Sequence, residues 1–436
     1  MRASSASDVG AGAAGGGGRV HLGGWWLPAL FLLALAVRCV AVTLYPAVPA
    51  NDAADYHRLA ADLSRGLGYV NVEGGPTAWR PPGYPAFLAG VYSVFGMSVT
   101  AATLVQAALG GLTVVLLAVF GALVLGRREG LAAGLLAAVY PGLFWVPRVL
   151  MSENLSLPLT LGVLCAAAML LRTGRLRWAG ACGLLLGVSA LVRGANLQLV
   201  PLLLAGMAFF AWRRRQDWRR LAAASALVCA LVALTLLPWT LRNYGVFQRF
   251  VPVATQGGMT LYSSYWPPVK DGKRIWGNLQ TDEDPEWVAA KRLGDEAAAS
   301  QYLEGLTFKR LRANPSYFFA LIPPKMLSLA VPLDWELFPH AAGASRSLNP
   351  VYALTCLVAV VGLLMLRRRR APHAWLLWVL PVSVLVQTVT FYGSPRFRLP
   401  AETSAILWAS VALILAWERF GRRAVSPAAG RREEVF

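Results

Sequence analysis

The sequence predicts an all-α polytopic membrane protein, a bundle of about 10–11 transmembrane helices, and three observations carry that prediction. Of 436 residues, 56% are hydrophobic and 14% are charged, against roughly 25% charged in soluble chains. Mean hydropathy is +0.51, and the apolar residues come in blocks close to membrane-spanning length. Basic residues outnumber acids by 41 to 22, and many sit in short clusters between those blocks. The clusters are Arg127/Arg128, Arg172/Arg175/Arg177, Arg213 to Arg220, Arg367 to Arg370 and Arg419/Arg422/Arg423, as the positive-inside rule places cytoplasmic loops.

This composition argues against a water-soluble enzyme. The net charge of +19 reports topology rather than a nucleic-acid partner, because no recognition motif or aromatic-interleaved basic face accompanies it. All five cysteines fall inside apolar segments without paired spacing, which indicates neither a disulfide framework nor a zinc site.

Taken in order, the expected spans are 25–45, 99–125, 130–146, 154–171, 178–194, 196–212, 221–239, 351–366, 374–391 and 400–417. With a cytoplasmic N-terminus, every basic cluster then falls on the cytoplasmic side. Residues 1–23, rich in Gly and Ala, read as a disordered cytoplasmic N-terminus, and the first apolar block is too long for a signal-peptide core. Residues 24–420 form the membrane-embedded domain, and 421–436 a cytoplasmic tail.

Three stretches fall on the outer side: 46–98, 240–316 and the bend at 392–399. In the first, Asp52 to Leu67 and Pro82 to Phe95 have helical periodicity suited to the interface plane. The second carries an Asp/Glu/Lys/Arg helix over Pro285–Arg312 and reads as an outer cap. Tyr317 to Val331 is apolar but holds Pro323, Pro324 and Lys325, so it reads as a re-entrant or interfacial helix.

The strongest local signal is Asn51-Asp52-Ala53-Ala54-Asp55-Tyr56-His57. Carboxylates three apart on a helix share a face. Such a pair can act as general base, cation binder or metal ligand, or it can be an N-cap with a first-turn acid. Glu153 also stands out as an acid at the outer edge of an apolar span, a functional candidate or a charge in the first turn of the next helix.

Further along stand Gly66-Leu67-Gly68-Tyr69, Pro76-Thr77-Ala78-Trp79-Arg80-Pro81-Pro82-Gly83-Tyr84-Pro85, Tyr140-Pro141, Met151-Ser152-Glu153 and Leu191-Val192-Arg193. They are followed by Pro238-Trp239-Thr240-Leu241-Arg242-Asn243-Tyr244, Gln256-Gly257-Gly258 and Pro395-Arg396-Phe397-Arg398-Leu399-Pro400. In this order the motifs resemble the GT-C polyprenyl-phosphate-dependent glycosyltransferases, in the branch of glycosyltransferase family 39 related to protein O-mannosyltransferases and the lipid A aminoarabinose transferase. The resemblance implies a GT-C-like bundle that transfers a sugar, with inversion, from a polyprenyl-phosphate carrier to an acceptor hydroxyl at the outer face of the cytoplasmic membrane. It places the catalytic acid at Asp52, four residues before Tyr56; the usual second acid is Ala53 here, and Asp55 stands nearby.

A lipid phosphate leaving group needs cations aimed at it. Arg80, Arg193, Arg242, Lys325, Arg396 and Arg398 are isolated outer-side cations on separate segments, otherwise readable as snorkelling or headgroup contacts. With Tyr56, His57, Tyr84 and Asn243 they make up the candidate substrate and lipid-phosphate-binding set, and Asp52, Asp55 and Glu153 the catalytic one. If a divalent cation takes part, those three acids are its ligands, although no spacing requires one. The expected partners are a polyprenyl-phosphate-linked sugar, an acceptor of undefined class and membrane lipids. Two other classes fit the same inventory: a transporter or flippase for lipid-linked sugars or anions, and an assembly protein that keeps the fold without catalysis. Release of polyprenyl phosphate separates the transferase from both.

Overall fold

A computed structural model describes residues 25–215, 217–266, 284–330, 350–367 and 371–425. The N-terminal segment 1–23, Arg368 to Arg370 and residues 426–436 of the tail lie outside the described residues. The helices, in chain order, are α1 Trp26–Leu44, α2 Asp52–Ser64, α3 Gly83–Phe95, α4 Val99–Val124, α5 Arg127–Val139, α6 Pro141–Phe144, α7 Glu153–Thr173, α8 Leu176–Val192, α9 Leu199–Arg213 and α10 Trp218–Phe247. They continue as α11 Gln256–Ser264, α12 Pro285–Lys291, α13 Glu296–Ala313, α14 Pro315–Ala330, α15 Pro350–Leu366, α16 Val379–Thr390 and α17 Leu399–Val425. Single 3-10 turns stand at Val146–Arg148, Gly194–Gln198, Ala374–Trp378 and Pro395–Arg398.

The bundle grows by neighbours: α1 and α5 pack on α4, α4 on α7, α7 on α8, and α8 on α10, while α17 closes the assembly against α5 and α15. Leu117, Leu161, Leu186 and Leu407 lie in its continuous apolar core. Each expected span meets helix. Among the described residues six helices are long and apolar enough to cross a membrane by length and composition, seven if the α5–α6 pair is one bent span. Leu176–Val192, Pro350–Leu366 and Ala374–Thr390 are shorter apolar helices of at most 17 residues, at the short end of the spanning range of about 17–25.

The segments expected on the outer side also differ in detail from expectation. α10 runs past residue 239 to Phe247, so Arg242 and Asn243 stand on a helix that projects into the cap. The single helix expected over Pro285–Arg312 is two, α12 and α13, separated by a turn in which Gly294 takes φ +71°. Asp284 accepts from the backbone N–H groups of Glu286 and Trp287, and Asp295 from that of Ala297, so each half begins with its own N-cap. α14 continues through Pro323 and Pro324 as one 16-residue helix. In the first outer loop, Ala53, Tyr56, Tyr84 and Leu88 of α2 and α3 pack with Leu150 in a second apolar cluster.

The expected span 130–146 breaks by 64° between α5 and α6. Proline at 141 has no N–H to return to the carbonyl of Ala137, the bond that would continue the helix. Arg38 of α1 fills the gap: fully buried, it donates from Nη2 to Ala137 O at 3.3 Å, and from Nη1 to Ala138 O at 3.2 Å and Ala34 O at 3.0 Å. Gly110 makes room for it, since a Cβ there would lie 2.6 Å from Arg38 Cδ and Nε. A cation over the last carbonyls of a helix also complements its dipole.

Arg38→Leu is therefore expected to lower the thermal midpoint in detergent, with a loss of about 2–3 kcal/mol from orphaned buried carbonyls. Arg38→Lys should recover part of that loss in the same unfolding assay.

Candidate functional site

Asp52 opens α2 directly after Asn51, a non-glycine residue held at φ +49°. One turn later Asp55 lies on the same face, as the three-residue spacing requires. Arg80, on the extended stretch before α3, reaches both: its Nη2 lies 2.5 Å from Asp52 Oδ1 and 2.8 Å from Asp55 Oδ2. Its Nη1 donates to Gln256 Oε1 at the start of α11 at 3.2 Å, and its guanidinium sits 5.3 Å from the centre of the Tyr56 ring. The other oxygen of Asp52 meets Arg396 Nη1 at 2.8 Å, brought by the Pro395–Arg398 turn.

Across the cavity, Glu153 at the start of α7 forms an ion pair with Arg193, which ends α8, and the hydroxyl of Ser152 donates to the same carboxylate at 3.3 Å. The Phe397 ring lies between the two guanidinium groups, 4.8 Å from that of Arg193 and 5.0 Å from that of Arg396. Asp52, Arg80, Glu153, Arg193, Arg396 and Phe397 thus line one cavity of about 430 Å³, together with Tyr56. Burial alone would raise the Asp52 carboxyl, but Arg80 and then Arg396 override it and bring it down to about 2.

Not every expected residue converges. Asp55 stands behind the cavity wall on Arg80. His57 turns away and bonds Tyr92 at 2.8 Å, because two residues on a helix are about 200° apart in azimuth; burial and Arg65 lower its pKa. Tyr84 is fully buried and donates to Gln106, meeting Tyr56 edge-on at 4.8 Å. Arg242 staples the first loop, donating to Thr77 O at 2.7 Å and Tyr69 O at 3.2 Å while lying over Trp239. Asn243 donates to Val251 O at 3.0 Å. Lys325 donates to Val389 O at 3.2 Å and lies over the Tyr265 ring, and Arg398 points into the bundle toward Glu402. The three acids named as possible cation ligands do not gather: among the described residues no group of three His, Cys, Asp or Glu side chains is placed to hold a metal ion. Two share Arg80 and the third pairs with Arg193.

Sequence reading passed over Gln256, Phe397 and Ser152 as individual site residues, although each lies inside a motif it marked. It also passed over Glu296, the first residue of α13. That carboxylate accepts from Thr77 Oγ1 at 2.8 Å, from Thr255 Oγ1 at 3.1 Å and from the backbone N–H of Ala78. The cap helix therefore grips the first loop two residues before Arg80. An acid in an ordinary polar helix carries no sequence signal for such a contact.

The depressed acidity of Asp52 has a stability consequence with a definite sign. Its carboxyl is about 2 in the fold and near 3.9 in an unfolded chain, so pairing stabilises above about pH 4 and that contribution is lost as pH falls toward 2. Asp52→Asn should cost on the order of 2 kcal/mol near neutral pH, with the gap to wild type closing across that acid window in a pH series of unfolding midpoints.

Residues 79–239 match the family described as dolichyl-phosphate-mannose-protein mannosyltransferase. That stretch holds Arg80, Glu153 and Arg193, whereas Asp52 and Arg396 lie outside it. No curated protein matches the chain by sequence. In structure the chain is similar to the archaeal oligosaccharyltransferase AglB from Archaeoglobus fulgidus in complex with an inhibitory peptide and a dolichol-phosphate, with a TM-score of 0.58 at 15% identity over 94% of this chain and 53% of that one. The apo form of the A. fulgidus enzyme gives a TM-score of 0.58 at 13% identity and the same coverages. ArnT from Cupriavidus metallidurans bound to undecaprenyl phosphate gives a TM-score of 0.46 at 16% identity, over 92% and 78% of the two chains. The chain spans about half the length of the oligosaccharyltransferases, and at these identities the likeness is one of fold. A segment matching a mannosyltransferase family thus lies at 79–239 within a multi-pass membrane fold similar to that of the archaeal oligosaccharyltransferase.

Proposed function

We propose that the cavity transfers a sugar from a polyprenyl-phosphate carrier to an acceptor hydroxyl, with inversion, and that Asp52 is the general base. The observation that carries this reading is the convergence of Asp52, Glu153 and three arginines from five separate segments on one cavity. The cavity wall holds three arginines against two carboxylates, an excess suited to a singly charged phosphodiester. The dolichol-phosphate in the similar AglB structure supports a donor of this kind.

In the proposed step the acceptor O–H gives its proton to Asp52 as its oxygen bonds to the anomeric carbon. The bond from that carbon to the phosphate oxygen breaks, and its electron pair leaves with the phosphate. Arg193 and Arg396 meet the charge that develops there, so no acid is needed to protonate the leaving group. Paired with its two arginines, Asp52 is a weak base, held near 2. A bound phosphate competes for the same guanidinium groups and so raises the basicity of Asp52 when donor is present. Glu153 holds Arg193 in place through their ion pair.

The orientation follows from the same helices. α7 starts at Glu153 and ends beside Arg172 and Arg175, and α8 returns from Arg177 to finish at Arg193. The site thus lies at the helix ends opposite the basic clusters, and by the positive-inside rule it faces outward. We place the protein in the cytoplasmic membrane, with 46–98 and 240–316 as its outer segments and membrane lipids around it.

The test is release of polyprenyl phosphate by detergent-purified protein, supplied with a panel of radiolabelled polyprenyl-phosphate sugars and membrane extract as acceptor. Asp52→Asn should cut release by about 10²–10⁴-fold, and Arg396→Gln by about 10²–10³-fold, with both variants still folded and inserted. Near-full activity in Asp52→Asn would transfer the base role to Asp55. Donor binding without release across the panel would favour the transporter reading.

A further inference from the structure

The Pro395–Arg398 turn faces two ways. Arg396 and Phe397 enter the cavity, while Arg398, only 3% exposed, points into the bundle. Its Nε donates to Glu402 Oε1 one turn later at 2.6 Å, and its Nη1 donates to Leu329 O at the end of α14, also at 2.6 Å. Its guanidinium lies 3.9 Å from the centre of the Tyr352 ring on α15. Glu402 is 3% exposed, and the Tyr140 hydroxyl at the α5–α6 break reaches the same carboxylate. Gly142, just past that break, leaves it room, since a Cβ there would lie 2.6 Å from Glu402 Oε2. One ion pair therefore joins the cavity turn, α17, α14, α15 and the break in the bundle.

An acid within an apolar helix is costly unless it is paired, and it marks function by default. Neither Arg398 nor Glu402 lines the cavity, so the transfer step does not use them directly. The turn that carries both arginines is four residues long and begins with a proline of fixed φ, so anchoring one end fixes the other. We propose that Glu402, acting through Arg398, is a positioning residue that sets where the turn holds Arg396 against Asp52. The proposal rests on the transfer reading for its importance, but its test needs no turnover.

The test is the rate of carbodiimide labelling of Asp52 at pH 5 in the full chain in detergent, read by mass spectrometry. The reagent takes protonated carboxyls, so the rate follows the protonated fraction of Asp52. The charged and titratable groups facing Asp52 are Arg80 and Arg396, with Asp55 and Tyr56 on its own helix and Glu153 across the cavity. Arg396→Gln should raise the rate about tenfold, the equivalent of one pH unit. Glu402→Gln should raise it in the same direction, and the double variant no further than Arg396→Gln alone. Tyr140→Phe, which keeps the ring and removes the hydroxyl, should raise it severalfold and serves if Glu402→Gln does not fold. A lowered thermal midpoint with Asp52 labelled at the wild-type rate, in Glu402→Gln or in Tyr140→Phe, overturns the proposal, as does an unchanged rate in Arg396→Gln. Labelling as expected from a wild type that releases no polyprenyl phosphate would instead count against the transfer reading alone.

Discussion

Arg80 is the contact on which the loop-and-cap half of the molecule depends. Its guanidinium bridges the two acids of α2, meets Gln256 from the cap and covers the Tyr56 ring, with its side chain only 8% exposed. A buried guanidinium is tolerable only when its charge is balanced and its terminal N–H groups are engaged. That requirement draws α2, the loop before α3 and α11 to one point. Two latches hold the loop there: Arg242 from the end of α10 and Glu296 from the start of α13, both gripping Thr77.

The same economy of charge repeats deeper in the bundle. Glu153 answers Arg193, Glu402 answers Arg398, and Arg38 answers carbonyls that a proline leaves without donors. Each pair stands at a helix end or break, where backbone groups lack intrahelical partners and the dipole favours charge. The apolar helices supply the scaffold, and the interrupted ends supply the places where charge can be kept. Chemistry therefore gathers at such ends: the start of α2, the start of α7, the end of α8 and the turn before α17.

Much of this was legible in the residues. Apolar blocks and basic clusters foretold the helices, because a spanning segment must satisfy its backbone internally and must be long enough to cross. They did not register that Pro141 bends its span by 64°, because hydropathy carries no backbone direction. The three-residue spacing of Asp52 and Asp55, and the lone acid at Glu153, pointed to the cavity because few acids stand near apolar spans. His57, Tyr84, Arg242, Asn243, Lys325 and Arg398 were gathered with them by motif and by side of the membrane, neither of which says which way a side chain turns.

The sequence by itself determined that this chain is a helical membrane protein with its polar chemistry on one side, since length, apolar content and charge placement are properties of the strand alone. It also determined the kind of group available there: carboxylates from α2 and α7, and isolated arginines elsewhere. Only the tertiary structure decided which of six cations meet an acid in one cavity, that Asp52 rather than Asp55 lines it, and that Glu402 anchors the turn carrying Arg396. Those choices depend on azimuth around each helix and on contacts across hundreds of residues, set by how the bundle packs and not by any local pattern.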